Sequence, residues 1–452
     1  MKNRMRISIV GTGYVGLVSA ACFAEHGHDV TCVDVDPKRI DAVNAKRSPL
    51  HEPGLTELLE RNVPTRLRAT GDLVDAVLNS ELTIIAVPTP FDAATGSIDL
   101  SYVLKAAGQV GEALRDVGRF HAIVVKSTCA PGTADGQVRR AVEAAAGEQD
   151  LIGIGSCPEF LSEGTAVHDF MHPDRIVLGA IDERTLDLLR TLHSGFVSVP
   201  TIETNCRTAE AIKYASNAFL ATCVSFANEI ANVCEAVGGI DADEVMQGVH
   251  LSRYLTADGE TAAIASFLRA GCGYGGSCLP KDVAALVAQS ERLGQPMPLL
   301  SAVAAVNDAR AGQLIERLTL EVGPIDGKRV TVLGTAFKPG TADLRTSPAE
   351  PIVERLVRGG ATVTCHDPAA GPATRDRFGK AVRVEDDLGD AVLDADAVVV
   401  VTAWDDYRDL PRRLNGSAPV IVDGRRMFEP SEFKRYIGVG LAPVHDGRES
   451  AT

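Results

Sequence analysis

A cysteine at a predicted helix start is the residue best placed for covalent chemistry. Cys278 lies in Gly273-Tyr-Gly-Gly-Ser-Cys-Leu-Pro-Lys-Asp282, where the glycines predict a loop and Pro280 predicts the first turn of a helix. The positive end of that helix and the charge of Lys281 favour ionisation of the thiol, as in a nucleophilic cysteine. If the helix starts early enough, Asp282 shares the face of Cys278 and can handle a proton or position water. A small buried cysteine is the alternative, which we accept for the other nine cysteines.

A glycine-rich segment near the amino terminus predicts a dinucleotide site. Gly11-Thr-Gly-Tyr-Val-Gly16, called the fingerprint below, follows an apolar run with strand character and opens a helical stretch. Its glycines permit a tight turn, admit a pyrophosphate close to the backbone and let helix and strand pack closely. Asp34, at the end of the next predicted strand, suits a ribose diol and favours NAD. The basic residues Lys38 and Arg39 nearby keep NADP as an alternative cofactor.

Two further strand ends carry hydroxyl groups. Thr89 lies in Val87-Pro-Thr-Pro90 and Thr128 ends Lys126-Ser-Thr128. Because ligands bind where the strands of doubly wound sheets end, either hydroxyl can contact cofactor or substrate. A plain turn or helix cap is an equally good interpretation of each threonine alone.

A thiol nucleophile beside an NAD site predicts a two-step oxidation. Hydride removal from an alcohol gives an aldehyde, which the thiolate traps as a thiohemiacetal; a second oxidation gives a thioester that water opens to an acid. A one-step alcohol dehydrogenase needs no such cysteine. Lys213 and Asn217, one helical turn apart, can donate to the oxyanion of the acyl transfer. Alone, such a pair more often lies on a solvated helix face.

Alternating apolar runs and helical stretches place these residues in an α/β fold. The runs predict the strands 5–10, 29–33, 82–87, 122–126, 151–154 and 175–178. Three later runs, 329–334, 361–367 and 397–401, resemble the first three of these strands, in that order. We therefore predict two Rossmann-like doubly wound domains, 1–200 and 312–452, joined by an all-helical domain, 201–311. Pro339 replaces the third glycine in the second copy, so we expect a different nucleotide there.

One long helix is predicted for the middle of the chain. Apolar residues recur at three- and four-residue spacing from Ala209 to Val237. A helix longer than its own domain needs can pack on a second subunit, which predicts a homodimer through this helix. The central helix of a monomer is the alternative.

Composition excludes several classes of protein. The 452 residues carry a net charge of −15, which disfavours binding to nucleic acid or to an anionic membrane. The ten cysteines include no C-x-x-C pair, which is typical of reduced thiols in a cytoplasmic protein. The basic and apolar start imitates a secretion signal, but it contains the fingerprint. We predict no metal site and no membrane span.

These motifs, taken in order, resemble the UDP-glucose/GDP-mannose dehydrogenase family over nearly the whole chain. The resemblance rests on the fingerprint and on Glu52-Pro-Gly54, Val87-Pro-Thr-Pro90, Lys126-Ser-Thr128, Pro158-Glu-Phe-Leu-Ser-Glu-Gly164, Glu210-Ala-Ile-Lys-Tyr-Ala-Ser-Asn217, Gly275-Gly-Ser-Cys-Leu-Pro-Lys-Asp282 and Phe337-Lys-Pro-Gly-Thr-Ala-Asp-Leu-Arg345. It implies NAD-dependent, four-electron oxidation of a nucleotide-sugar C6 alcohol, UDP-glucose above all, to a uronate. It also implies a dimer across the long helix and a uridine nucleotide in the carboxyl-terminal domain.

The resemblance also assigns roles to individual residues. It implies that Cys278 is the nucleophile, that Lys213, Asn217 and Asp282 stabilise oxyanions and manage water, and that Thr128 and Glu163 order that water. The positions implied to bind NAD are Gly11, Gly13, Tyr14, Val15, Gly16, Asp34, Arg39, Thr89, Thr128, Glu163, Lys281 and Arg345. Those implied to bind substrate are Glu159, Phe160, Leu161, Ser162, Glu163, Lys213, Asn217, Phe267, Leu268, Arg269, Ala270, Gly271, Gly275 and Lys338.

Two departures from the family pattern bear on the substrate. Cys157 stands where the family usually has asparagine, and Ala263 stands where an arginine commonly reaches the substrate of the partner subunit. Arg253 and Arg269 are the candidates to supply the missing charge. The same chemistry on GDP-mannose or a UDP-N-acetylhexosamine therefore stays open, and a nucleotide-sugar sensor without catalysis is a more distant alternative.

Overall fold

The chain folds as two compact units, Met1–Ser216 and Asn217–Thr452. The computed structural model describes residues 4–92, 97–147, 150–257, 260–414 and 418–441. The predicted three-domain boundaries at 200 and 311 stay predictions. Among the described residues, no helix has the length and apolar character needed to span a bilayer.

An eight-stranded sheet forms the centre of the first unit, in the order β10-β9-β8-β7-β4-β1-β2-β3. Its strands are β1 Arg6–Val10, β2 Asp29–Val33, β3 Leu67–Thr70, β4 Leu82–Ile85, β7 His121–Val125, β8 Ile152–Ser156, β9 Ile176–Ala180 and β10 Thr201–Thr204, with a separate antiparallel pair, β5 Phe91–Asp92 and β6 Ser97–Ile98. The six predicted strands are all present, with ends shifted by at most two residues. Two further strands of this sheet, β3 and β10, were not predicted. The strand β9 runs antiparallel to β8, pairing Gly155 with Ala180, and this direction was not predicted either.

Helices cover both faces of this sheet. They are α1 Tyr14–Glu25, α2 Pro37–Asn44, α3 Leu55–Asn62, α4 Leu73–Leu78, α5 Ser101–Leu114, α6 Arg139–Ala146, α7 Ala166–Met171 and α8 Glu183–Leu192, with a π-helix at Thr133–Val138. Strand residues are buried on both faces, as in parallel sheets: Ile7 and Ile9 enter one apolar core and Val10 enters the other.

The helix α9 runs from Cys206 to Val237, which confirms the predicted long helix. The second unit continues with α10 Ala242–His250, α11 Leu279–Arg292 and α12 Pro298–Val322, a short 3₁₀ helix at Ala263–Phe267 and a hairpin of β11 Thr256–Ala257 and β12 Glu260–Thr261. The helical stretch predicted from the sequence thus also contains one short antiparallel pair.

A six-stranded parallel sheet follows, in the order β15-β14-β13-β16-β17-β18. Its strands are β13 Arg329–Leu333, β14 Thr362–His366, β15 Arg383–Val384, β16 Ala397–Val400, β17 Val420–Asp423 and β18 Tyr436–Gly438, and its helices are α13 Ala349–Arg358, α14 Gly371–Phe378, α15 Leu388–Val392 and α16 Leu410–Arg413, with 3₁₀ turns at Gly379–Ala381, Asp405–Asp409 and Pro430–Glu432. The order matches β3-β2-β1-β4-β7-β8 of the first unit. The predicted repeat of the Rossmann pattern is therefore confirmed.

Candidate active site

The fingerprint forms the turn between β1 and α1. The amide of Gly11 donates to the carbonyl of Val33 at 2.8 Å, and Gly13 caps the amino terminus of α1. A Cβ at Gly16 would collide with the Gly11 carbonyl, so only glycine permits this contact between helix and turn. A Cβ at Gly13 would meet nothing within 4 Å, which leaves open space at the positive end of the helix. This cradle suits a pyrophosphate.

The carboxylate of Asp34 is held in place beside the fingerprint. It accepts hydrogen bonds from the amide of Thr12 at 2.8 Å, from the Thr12 hydroxyl, and from the amide of Asp36 at 2.9 Å. Burial opposes ionisation, but these bonds and the charge of Arg39 outweigh it and lower the pKa of Asp34. An ionised, oriented carboxylate at this position fits a ribose diol and repels a 2′-phosphate.

One residue of this edge was missed by the sequence analysis. Val35 follows Asp34, two positions after the end of β2, and its side chain is 98% exposed, which is unusual for an apolar residue so close to a buried strand. An exposed apolar side chain beside the ribose carboxylate can pack against an adenine ring. The signal was available in the sequence, as an apolar residue between two aspartates at a strand end.

The loops after β4 and β7 lie together at the carboxyl edge of the sheet. The Ser127 hydroxyl donates to the carbonyl of Val87 at 2.7 Å. The half-buried Thr89 and Thr128 follow these two residues in their loops. The structure therefore places both threonines on the sheet edge that carries the fingerprint, as predicted.

A buried ion pair fixes the loop after β8 to α9. The Nζ of Lys213 lies 3.1 Å from a carboxylate oxygen of Glu159, whose other oxygen accepts from the amide of Leu161 at 2.6 Å. Burial would raise the pKa of Glu159, but the charges of Lys213 and Lys126 and the amide bond lower it. Lys213 is thus buried, and so is Asn217 one turn further on, which shows that the solvated-face interpretation was wrong.

The same loop carries the other substrate residues predicted for the first unit. The guanidinium of Arg175 lies 3.9 Å from the ring centre of Phe160 and donates to the hydroxyl of Ser216 at 3.2 Å. Leu161, Ser162 and Glu163 follow in the chain between this ring and α7.

Cys278 in the second unit is the amino-terminal cap of α11, with Pro280 in the first turn. The amide of Asp282 donates to the Cys278 carbonyl at 2.9 Å, so the helix does start early enough to place Asp282 one turn beyond the cysteine. Asp282 is buried, accepts from the Nδ2 of Asn217 at 2.6 Å and lies 3.0 Å from the Nζ of Lys281. Cys278 is half-buried, whereas the other nine cysteines are buried. The predicted helix start is confirmed.

Polar side chains from α9 and α12 hold the loop that precedes Cys278. The amide of Gly271 donates to Asn228 at 2.8 Å, and its carbonyl accepts from the Nε of Arg310 at 3.0 Å. Asn307 bonds both backbone groups of Tyr274, at 2.8 and 3.1 Å. None of these three side chains was predicted, because they lie on α9 and α12, far from the loop in sequence.

The loop also contacts the segment with Lys338 and Arg345. The Thr346 hydroxyl donates to the Gly276 carbonyl at 2.5 Å, and a Cβ at Gly275 would collide with the Thr346 carbonyl. Lys338 is half-buried and Arg345 pairs with Asp343 at 2.6 Å. The structure thus brings Gly275 next to the chain that carries two further predicted residues.

In the second sheet, the carboxylate at the position equivalent to Asp34 is already satisfied by hydrogen bonds. Asp367 follows β14 as Asp34 follows β2, but its oxygens accept from five donors: the amides of Thr335, Ala336, Ala369 and Ala370 and the Nε1 of Trp404. A carboxylate satisfied in this way cannot also hold a ribose diol. This finding agrees with the expectation of a different nucleotide.

Another basic residue at this edge was not predicted. Arg425 follows β17, its Nε donates to the carbonyl of Val401 at 2.5 Å, and it lies against Gly271. Leu268, Ala270 and Gly271 are buried, while Arg269 is exposed. Arg425 thus connects the predicted substrate segment, residues 267–271, with the carboxyl edge of the second sheet. A guanidinium at this edge can hold a nucleotide phosphate.

The predicted residues therefore form one set in each unit. The first unit holds Gly11, Gly13, Tyr14, Val15, Gly16, Asp34, Arg39, Thr89, Thr128, Glu159 to Glu163 and Lys213. The second holds Asn217, Phe267 to Gly271, Gly275, Cys278, Lys281, Asp282, Lys338 and Arg345.

Models of one protein family match most of the chain. Residues 5–197 match the NAD binding domain of the UDP-glucose/GDP-mannose dehydrogenase family, residues 207–309 its central domain and residues 331–430 its UDP binding domain. NAD is therefore the cofactor of the first unit, and the cradle at Gly13 and the carboxylate of Asp34 fit it.

Individual relatives cover nearly the whole chain. The UDP-glucose 6-dehydrogenase AglM of Haloferax volcanii is 42% identical over 95% of this chain and 98% of its own length. The UDP-glucose 6-dehydrogenase TuaD of Bacillus subtilis is 39% identical over 95% of this chain and 91% of its own length. A solved UDP-glucose dehydrogenase from Pyrobaculum islandicum superposes with a TM-score of 0.91 at 39% identity, covering 98% of this chain and 99% of its own. The chain belongs to the UDP-glucose/GDP-mannose dehydrogenase family.

Proposed function

We propose that this protein oxidises the C6 alcohol of UDP-glucose to the carboxylate of UDP-glucuronate. The relatives that share about two fifths of its residues over nearly the whole chain are named for UDP-glucose. The observation that carries the chemistry is the position of Cys278, a half-buried thiol that caps α11 one turn before the Asp282–Asn217 pair.

The reaction balances with two NAD and one water. NAD, when bound, accepts one hydride in each of the two oxidations. The Cys278 thiolate adds to the C6 aldehyde, forming a C–S bond and a thiohemiacetal. Oxidation of that adduct gives a thioester, and attack by water breaks the C–S bond, so that the carboxylate leaves and the thiol is regenerated.

The buried polar groups have complementary roles in this scheme. Lys213 supplies a positive charge and Asn217 an amide donor for the oxyanions, since both project from successive turns of α9. Asp282 orients the amide of Asn217 through the 2.6 Å hydrogen bond and accepts a proton from the attacking water. Thr128 and Glu163 order that water, as the family resemblance implies.

A panel of nucleotide sugars tests the substrate. We expect kcat/KM for UDP-glucose to exceed that for GDP-mannose and for UDP-N-acetylglucosamine by at least about a hundredfold, the scale set by polar groups left unpaired with the wrong sugar or base. A preference for either of the other two would contradict the proposal, and saturable binding of all three without NADH formation would favour a sensor.

We also propose a homodimer through α9. Phe219, Phe226 and Val233, spaced by seven residues on this helix, are 60%, 46% and 58% exposed, so one side of the helix presents an apolar stripe to solvent. Such a stripe on a long helix fits a second copy of the same helix.

The ten cysteines are all free thiols, which is in keeping with a cytoplasmic protein.

Sedimentation of one substituted protein tests this interface. Phe226→Asp places a charge in the centre of the stripe and is expected to yield monomers at concentrations where the unaltered protein is dimeric. Leu320→Asp is the matched control, because Leu320 is an exposed apolar residue on another long helix, α12. Equal sedimentation of all three proteins would contradict the proposed interface.

A further inference from the structure

Glu52 is a buried carboxylate to which neither the sequence motifs nor the proposed chemistry gives a role. It lies in the turn Glu52-Pro-Gly54 ahead of α3 and is only 6% exposed. Its oxygens accept the hydroxyl of Tyr14, the amide of Gly164 at 2.7 Å and the amide of Val167 at 3.2 Å. A buried carboxylate with three donors is well compensated, and such charge-assisted bonds are the stronger ones in proteins.

The three donors belong to two segments of the site. Tyr14 is the first residue of α1 and lies inside the fingerprint. Gly164 directly follows Glu163 and has a positive φ of 87°, and Val167 lies in the first turn of α7. The Gly164 amide also lies 2.7 Å from the Tyr14 hydroxyl, so the three groups form a closed set of contacts. One carboxylate thus joins the fingerprint to the segment that ends in Glu163.

The turn that carries Glu52 is itself firmly held. Gly54 has a φ of 83° and caps α3, whose Leu55 and Leu59 are buried in the same apolar core as Phe170 of α7. The helix α1 packs against both α3 and α7. The carboxylate therefore projects from a fixed turn rather than from an adaptable loop.

We propose that Glu52 is a positioning residue that sets the Glu163 segment against the fingerprint. It acts on NAD through Tyr14 and through the backbone at Gly164. The part of this inference that concerns water and Glu163 rests on the proposed function, whereas the part that concerns NAD affinity does not.

Four variants test this role: Glu52→Gln, Tyr14→Phe, the double variant and the control Glu25→Gln. Glu25 also joins α1 to α3, through Asn62 at 2.7 Å, but at the other end of both helices. The dissociation constant for NADH is measured by its fluorescence without any sugar nucleotide, circular dichroism verifies the fold, and kcat is measured at saturating NAD with UDP-glucose.

We expect Glu52→Gln to raise the dissociation constant by about tenfold and Tyr14→Phe by about threefold, the range for charge-assisted hydrogen bonds lost in a folded protein. The double variant should bind no more weakly than Glu52→Gln, because both residues act through one set of contacts. Glu25→Gln should bind as the unaltered protein does, and kcat should fall only in the variants at positions 14 and 52.

Two results would overturn the proposal. One is a dissociation constant for NADH in folded Glu52→Gln that lies within about twofold of the value for the unaltered protein. The other is a double variant whose dissociation constant rises by the product of the two factors measured in the single variants. If Glu52→Gln does not fold, Tyr14→Phe decides alone, and an unchanged dissociation constant then overturns the inference. A wrong sugar substrate would abolish turnover but leave these NADH titrations intact.

Discussion

The carboxylate of Glu159 lies 3.1 Å from the Nζ of Lys213, and each side chain is only 5% exposed. The pair joins the loop after β8 to α9 within the first unit. Lys126 adds a second buried ammonium, whose Nζ donates to the carbonyl of Cys157 at 3.4 Å. The position of the Lys213 charge therefore depends on a carboxylate that the resemblance assigns to substrate binding.

Replacing only one residue of the Glu159–Lys213 pair should lower the free energy of unfolding more than replacing both. Glu159→Gln leaves the Lys213 ammonium buried without its counter-charge, so we expect the free energy of unfolding to fall by about 3 to 5 kcal/mol. The double variant Glu159→Leu with Lys213→Met should recover most of that loss. Urea unfolding measures both, with Glu143→Gln, from the exposed pair with Arg139, as a control that changes little. Additive losses in the double variant would contradict the pairing.

Glu210 should make stability depend on pH in an identifiable window. Burial raises the pKa of Glu210 to about 7 from an ordinary value of 4.5, although the amides of Ala134 and Gly132 donate to it. In the unfolded chain Glu210 ionises first, so folding is increasingly penalised as the pH rises from 4.5 to 7, by on the order of 3 kcal/mol in total.

Glu210→Gln removes this titration. The unaltered protein should therefore lose stability relative to the variant as the pH rises from 4.5 to 7. The free energy of unfolding of Glu210→Gln minus that of the unaltered protein should increase over this range. Denaturant unfolding at pH 5 and pH 7.5 measures the shift, and Glu143→Gln on α6 should show none. A pH-independent difference for Glu210→Gln would contradict the raised pKa.

Asp34 should set the preference for NAD over NADP. Asp34→Ser removes the ribose acceptor and the charge that repels a 2′-phosphate, so we expect KM for NAD to rise by about ten- to a hundredfold while KM for NADP falls. Steady-state kinetics with both cofactors measure the switch. Asp29→Asn is the matched control, since Asp29 lies at the opposite end of β2, paired with Arg4 at 2.6 Å. If the ratio of KM for NAD to KM for NADP is the same in Asp34→Ser as in the unaltered protein, the ribose does not lie at Asp34.

Asn307 should position the loop ahead of Cys278. Asn307→Leu leaves both backbone groups of Tyr274 without their side-chain partner, and we expect kcat to fall by about ten- to a hundredfold through loss of a fixed geometry. NADH affinity, measured by fluorescence without sugar nucleotide, should not change. Asn79→Ala, at an exposed asparagine that bonds Asp75, is the control. A normal kcat in Asn307→Leu would show that the loop holds its shape without this anchor.

Local patterns predicted the elements that carry the chemistry. The helix start at Cys278 is encoded within ten residues by glycines, a proline and a polar pair, and the structure confirms it. The fingerprint and Asp34 are similarly local, because one strand, one turn and one helix determine them. The long helix was predicted from its apolar spacing, but the predicted apolar positions Phe219, Phe226 and Val233 are exposed in the chain.

Contacts between distant segments were not predicted. Lys213 had a plain local interpretation, as a lysine on a solvated helix face, and only the packing of α9 against the loop after β8 pairs it with Glu159. The reversed direction of β9 also has no local signal, since strand direction depends on the connection. The same holds for Asn307 and Glu52, whose partners lie far away in sequence.

The stoichiometry of NADH tests the cysteine mechanism most directly. With limiting UDP-glucose and excess NAD, the account predicts two NADH and one carboxylate per sugar. Cys278→Ala should give at most one NADH and no carboxylate, whereas the buried-cysteine control Cys365→Ala should still give two. One NADH per sugar with a released aldehyde from the unaltered protein, or two from Cys278→Ala, would contradict the thioester route.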